Sequence, residues 1–215
     1  MKKNFIISVL LLFISVIYVI LVKTVDVSNI GPNESSVGFA SLNSFFISLT
    51  GENLTWYKVT EILGIIPIFM AFVYALIGLK QLFQRKSLLK VDKELLGLGV
   101  FYISVIFVYI FFEIFIINYR PVLMDGELEA SFPSSHTMMA LCLCGSAILL
   151  NKKLFNKIPV VKIVNPILII VMVVLILGRF LSGVHWFSDI LGGIIISSTL
   201  VMFYYTFLNY NKKND

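Results

Sequence analysis

Six ionisable side chains stand inside or beside long apolar runs: Glu113, Arg120, His136, Arg179, His185 and Asp189. Charges at such positions are costly, so each invites a functional reading. Arginine makes bidentate, charge-assisted bonds to phosphate oxygens and stays charged when buried. Two arginines among apolar neighbours need an anion. Either a phosphate ligand or an internal ion-pair network with the chain's own acids supplies it. Phe132-Pro133-Ser134-Ser135-His136 reads as a helix start with proline at the first helical position. The free N–H groups there, with the helix dipole, suit an anion. A histidine in that first turn is placed to give a proton to a leaving oxygen. His185 and Asp189 are four residues apart, hence on one face of a helix. A carboxylate there can hold one imidazole nitrogen and leave the other free to attack. A zinc site competes for the same residues. With only two histidines in the chain, and two arginines that would repel a cation, metal ranks below phosphate and no cofactor is expected.

The elements that must carry these residues are membrane helices. Of the 215 residues, 59% are hydrophobic and 13% charged, and mean hydropathy is +0.96. Soluble chains run at roughly 45–50% apolar and about 25% charged. The composition excludes a soluble enzyme, a disordered tail and a disulfide scaffold. It predicts an all-α integral membrane protein with one domain over residues 1–215. Six runs approach the ~20 residues a span requires: Phe5–Val22, Ile62–Leu82, Leu95–Ile117, Ser134–Leu150, Ile163–Leu181 and Phe187–Leu208. The first ends at Lys23 without a small-residue cleavage site and reads as a retained span. Cys142 and Cys144, two apart in an apolar run, cannot face each other on a helix and read as core residues.

Charge orients the spans. The N-terminus, the loops 80–93 and 152–162 and the C-terminal tail hold thirteen cations and, with Glu94 next to the first loop, three acids, a net +10. The opposite side holds Lys23, Lys58, Arg120 and Arg179 against nine acids, a net −5. The positive-inside rule then puts both termini in the cytoplasm. The basic loops face anionic lipid, so no nucleic-acid partner is expected. On this map all six ionisable residues fall on the outer membrane face.

The outer segment 23–61 contains Phe39, Leu42, Phe46 and Leu49 at helical spacing, which predicts a short amphipathic helix. It would serve as a lid and ramp for lipid, or as a cap packed on the bundle. Asn53-Leu-Thr55 matches a glycosylation sequon, a common triplet of little weight.

Taken together, these residues resemble the type 2 phosphatidic acid phosphatase family of integral membrane lipid phosphatases, related to vanadium haloperoxidases and bacterial acid phosphatases. Arg120-Pro121 matches the end of its first motif and Pro133-Ser134-Ser135-His136 its second. Arg179, His185 and Asp189, correctly spaced, match its third. The motifs span about 77 residues. The resemblance implies a metal-independent membrane phosphatase acting at the outer face on a polyprenyl diphosphate, phosphatidylglycerol phosphate or phosphatidic acid. It implies that His185 is the nucleophile forming a phosphohistidine, that Asp189 orients it and that His136 protonates the leaving oxygen. Arg120, Arg179, Ser134 and amides near Ser135 would hold the phosphoryl oxygens.

Three positions depart from the family pattern: Ser135 replaces glycine, Gly178 replaces serine and Glu113 replaces lysine. Arg120 ends the third span, and Glu113, seven residues earlier, shares its face about 10 Å deeper. Glu113 would then pair with Arg120 or Arg179, pack as a protonated acid, or meet a cationic or hydroxylated part of a substrate. Two other functions fit less of the pattern. A catalytically weak relative would bind lipid phosphate or a protein. A transporter would need polar groups across the whole membrane, whereas these cluster at one end.

Overall fold

The computed structural model describes residues 2–210. The tail residues Lys212, Lys213 and Asp215, counted above among the cytoplasmic charges, lie outside them. Nine α-helices run through the described residues: α1 (Lys2–Thr24), α2 (Ala40–Thr50), α3 (Leu54–Leu63), α4 (Ile65–Arg85), α5 (Lys93–Ile114), α6 (Ser135–Met139), α7 (Gly145–Leu154), α8 (Val161–Ser182) and α9 (Phe187–Tyr210). A π-helical turn, Ala140–Cys144, joins α6 to α7. Six continuous stretches are long and apolar enough to cross a membrane: α1, α3–α4, α5, α6–α7, α8 and α9. The protein is a multi-pass helical bundle with apolar side chains over its outer surface.

Most span boundaries fall near their expected positions. The second is the exception. It begins at Leu54 rather than Ile62, because α3 continues almost directly into α4 across Gly64. Tyr57, Lys58 and Glu61 dilute the apolar signal of α3, so its sequence resembles a loop.

Hydroxyls and amides choose the helix neighbours. In an apolar helix, serine and threonine bond back to their own turn and also reach across to another helix. Ser8 and Ser15 face α9, where their Oγ atoms lie 3.0 Å from Thr206 Oγ1 and 2.8 Å from Thr199 Oγ1. Away from the site, Tyr74 donates to Asn151 Oδ1 (2.8 Å) and Asn151 to Asn165 Oδ1 (2.8 Å), tying α4, α7 and α8. Phe101 stacks on Tyr204 between α5 and α9. Cys142 and Cys144 are free and buried in the π-helical turn.

Helix α2 is a cap that turns Ala40 and Asn43 inward. Asn43 is fully buried; its Nδ2 donates to Gly38 O (2.8 Å) and Ser188 Oγ (2.9 Å), and its Oδ1 accepts from Ser188 N (3.0 Å). Phe46 stacks on Phe187 with ring centroids 4.1 Å apart. Leu42 and Leu49, expected on the packed face, are exposed. A saturated asparagine outcompetes leucine for the interior because the bundle there offers backbone and hydroxyl partners. Asn53 is the N-cap of α3, accepting from Thr55 N (3.1 Å) and Trp56 N (3.2 Å). That accounts for the Asn-Leu-Thr triplet.

Candidate active site

Helix α8 stops at Gly183, whose φ of +67° is the left-handed conformation that glycine adopts without strain. The chain then turns through Val184-His185-Trp186 into α9. His185 therefore precedes the helix instead of sharing its face with Asp189. The expected carboxylate–imidazole bond is correspondingly absent: His185 Nδ1 lies 4.0 Å from Asp189 Oδ2. The nearer partner is the carbonyl oxygen of Ser131, 3.1 Å from Nδ1. A carbonyl can only accept, so the bond places the proton on Nδ1 and leaves a lone pair on Nε2. Burial first, and then the charges of Arg120, Arg179 and His136, hold the pKa of His185 well below the ordinary histidine value. The ring is neutral, and its Nε2 lone pair faces Arg120.

Asp189 acts one step away. Its Oδ2 accepts from Trp186 N (3.0 Å), which caps the first turn of α9 and fixes the His185 turn. Its Oδ1 accepts from Asn118 Nδ2 (3.1 Å). Asn118 is almost fully buried and central. It bonds Ser188 Oγ (3.3 Å) and, through its own side-chain oxygen, Gly38 N (3.2 Å), and its carbonyl accepts from Ser131 N (2.9 Å). Asn118 thus ties Asp189 to the segment that supplies the His185 acceptor.

Arg120 is not at the end of a span. α5 ends at Ile114, and residues 118–131 fold back as a short ribbon, with Arg120 N donating to Glu129 O (3.0 Å) and a tight turn at Met124–Glu127. Arg120 Nη1 lies 3.3 Å from His185 Nε2, and its Nε is 3.0 Å from Glu129 Oε2. Because the helix breaks, Glu113 and Arg120 do not share a face. Among the described residues no ion pair joins Glu113 to either arginine. Glu113 is exposed and lines a cleft of about 420 Å³ with Tyr109, Arg120, Glu129, Ser135 and His185.

On the other side of the cleft, α6 begins at Ser135, two residues beyond Pro133, so proline is not its first residue. Ser134 is the buried N-cap; its N donates to Asp189 O (3.1 Å) and its Oγ accepts from Thr137 Oγ1 (3.1 Å), locking the starts of α6 and α9 together. His136 Nε2 sits 3.1 Å from Glu61 Oε1. The same oxygen bonds Arg179 Nη2. Arg179 is fully buried, with Tyr57 packed over its guanidinium at 4.7 Å. Among the described residues its Nε and Nη1 have no hydrogen-bond partner.

The chain's own acids thus meet both arginines, as the ion-pair alternative anticipated, yet among the described residues three buried guanidinium nitrogens, Arg120 Nε and Arg179 Nε and Nη1, have no hydrogen-bond partner. Residues 66–213 match the PAP2 superfamily, more than half of the chain. The chain belongs to the PAP2 superfamily. No curated protein matches it. Among solved structures, it is similar to the first transmembrane PAP2-type phosphatidylglycerolphosphate phosphatase from Bacillus subtilis. The TM-score is 0.60 and the identity 22%, and the alignment covers 97% of each chain. That likeness concerns the fold.

In this PAP2 protein the tertiary structure brings His136, Arg179, Arg120, His185 and Asp189 to one end of the bundle, with Ser134 and Ser135 between them. Glu61, Asn118, Ser131 and Glu129 were not singled out from sequence. Asn118, two residues before Arg120 beside an apolar run, was the one with a signal.

Proposed function

We propose that this protein is a membrane phosphatase that removes phosphate from a lipid phosphate or diphosphate through a phosphohistidine on His185. The observation that carries this reading is the neutral His185, its Nε2 lone pair set beside Arg120 while buried Arg179 keeps two unpartnered donors. Such donors seek an oxyanion. In the first step Nε2 attacks phosphorus, the bond to the leaving oxygen breaks, and His136 protonates that oxygen. In the second, water attacks the phosphohistidine, His136 takes its proton, the P–N bond breaks and phosphate leaves. Proton transfer of this kind contributes roughly 10²–10⁴-fold. Asp189, by fixing the Trp186 amide, is a positioning residue.

The cleft adjoins an apolar groove. Phe112 borders both the cleft and an apolar groove of about 420 Å³ lined by Leu12, Val16, Phe107, Phe111 and Thr199. A phosphate beside His185 would send its hydrocarbon chain down that groove. Phosphatidylglycerol phosphate, phosphatidic acid and a polyprenyl diphosphate all have this shape. The +10 against −5 charge split supports both termini in the cytoplasm and the site at the outer face of the cell membrane.

The test is phosphate release from these three lipids by purified protein in detergent. Wild type should release phosphate from at least one lipid, without inhibition by a chelator, and His185→Ala should release none. Near-normal release by His185→Ala would refute the phosphohistidine route. Binding of all three without release by wild type would make the protein a lipid-phosphate binder. A reporter fused after Asp215 should read cytoplasmic and one near Asn33 extracytoplasmic; the reverse would move the site to the inner face.

A further inference from the structure

Glu61 belongs to no motif above, yet one of its oxygens bridges Arg179 and His136. It therefore engages both the proposed phosphate-binding arginine and the proposed acid. A carboxylate presents oxygens to a guanidinium much as one edge of a phosphate does. Arg179 is wholly buried while Glu61 remains 44% exposed, so the carboxylate can leave towards solvent and the arginine cannot follow.

The placement of Glu61 depends on Gly178. A Cβ at position 178 would lie 2.5 Å from Thr60 Cγ2 and 3.2 Å from Trp56 Cε3. Thr60 turns its hydroxyl back onto Trp56 O (2.9 Å) and Tyr57 O (2.8 Å), so its methyl faces the glycine. Lacking a side chain at 178, α8 lets α3 close onto it. That approach carries the next residue, Glu61, to Arg179.

We propose that Glu61 is a specificity-determining residue, an internal anion that competes with phosphate for Arg179 and His136. The site then admits dianionic phosphate monoesters and diphosphates and rejects the singly charged phosphodiesters of bulk phospholipid. This rests on the phosphatase reading. A phosphodiester that displaced Glu61 would exchange one single negative charge for another. A monoester dianion brings a second charge, and the unpartnered Nε and Nη1 of Arg179 receive its additional oxygens.

The experiment compares wild type with Glu61→Gln in detergent micelles. Calorimetry reads the binding of inorganic vanadate, and a competition assay reads inhibition by phosphatidylglycerol doped into the micelles. Vanadate should bind Glu61→Gln on the order of ten- to a hundredfold more tightly, the scale of one charged hydrogen bond. Phosphatidylglycerol should compete in the variant and not in wild type. Gly178→Ala, which pushes α3 outward without touching the carboxylate, should shift vanadate binding in the same direction. Unchanged or weaker vanadate binding by Glu61→Gln would overturn the proposal. So would a loss of kcat at unchanged affinity, which would make Glu61 a positioning residue for His136. Vanadate binding is read without turnover, so a wild-type protein that hydrolyses no lipid would refute the phosphatase reading separately.

Discussion

Asn118 offers the sharpest test of how the site is held. Asn118→Ala deletes the donor to Asp189 Oδ1, the second donor to Ser188 and the acceptor for Gly38 N. Asp189 is fully buried and would keep the Trp186 amide as its remaining side-chain contact among these. A bond to a charged group contributes about 1.5–3 kcal/mol, and a buried N–H left unmade adds about 1–3 kcal/mol. The expected destabilisation is therefore about 3–4 kcal/mol, read as a lower thermal midpoint in detergent. Activity should fall on the order of a hundredfold, because the segment that supplies the Ser131 acceptor loses its side-chain tie to Asp189 and so to the His185 turn. The exchange Asn118→Asp with Asp189→Asn reverses donor and acceptor between the two side chains and towards Ser188 Oγ, while the backbone N–H groups of Gly38 and Trp186 still meet a side-chain oxygen. It should recover about 1.5–3 kcal/mol relative to the sum of the single variants. It should leave activity low, because the carboxylate no longer faces the His185 turn. An Asn118→Ala protein within about 1 kcal/mol of wild type would refute this account. An exchange variant no more stable than the weaker single variant would refute it too.

Glu113→Gln should stay within about threefold of wild-type kcat/KM, because Glu113 is exposed and pairs with neither arginine; steady-state kinetics on the best lipid decide this. Glu113→Lys, which adds a cation beside the cleft, should retain activity. Val16→Trp should block the apolar groove, raising KM for a long-chain lipid phosphate while leaving a short soluble phosphate ester unaffected. The depressed pKa of His185 sets a pH dependence: the unfolded chain takes up a proton below about pH 6.5 that folded His185 refuses. Stability from this group is thus present above that pH and lost as pH falls towards the lower folded value. The thermal midpoint of wild type should drop between pH 7.5 and 5.5 by more than that of His185→Gln.

The sequence by itself determined the class of fold, the number of spans and the set of ionisable residues gathered at one end. Hydropathy over twenty-residue windows is a local property, and burying a membrane helix does not depend on its neighbours. Arg120, His136, Arg179, His185 and Asp189 were legible for the same reason: a charge beside an apolar run stands out without any structure. The tertiary structure decided who holds whom. The spacing of His185 and Asp189 suggested a direct bond, but the helix starts after His185, and a carbonyl from residue 131 takes that place. The spacing of Glu113 and Arg120 suggested a pair, but the helix ends first, and Glu129 and Glu61 reach the arginines instead. These partners come from segments distant in sequence, and ordinary outer acids give no local sign of the arginine they will meet. Gly178 shows the limit most directly. From sequence it is a missing hydroxyl, and only the approach of α3 shows it as the space that brings Glu61 into the site.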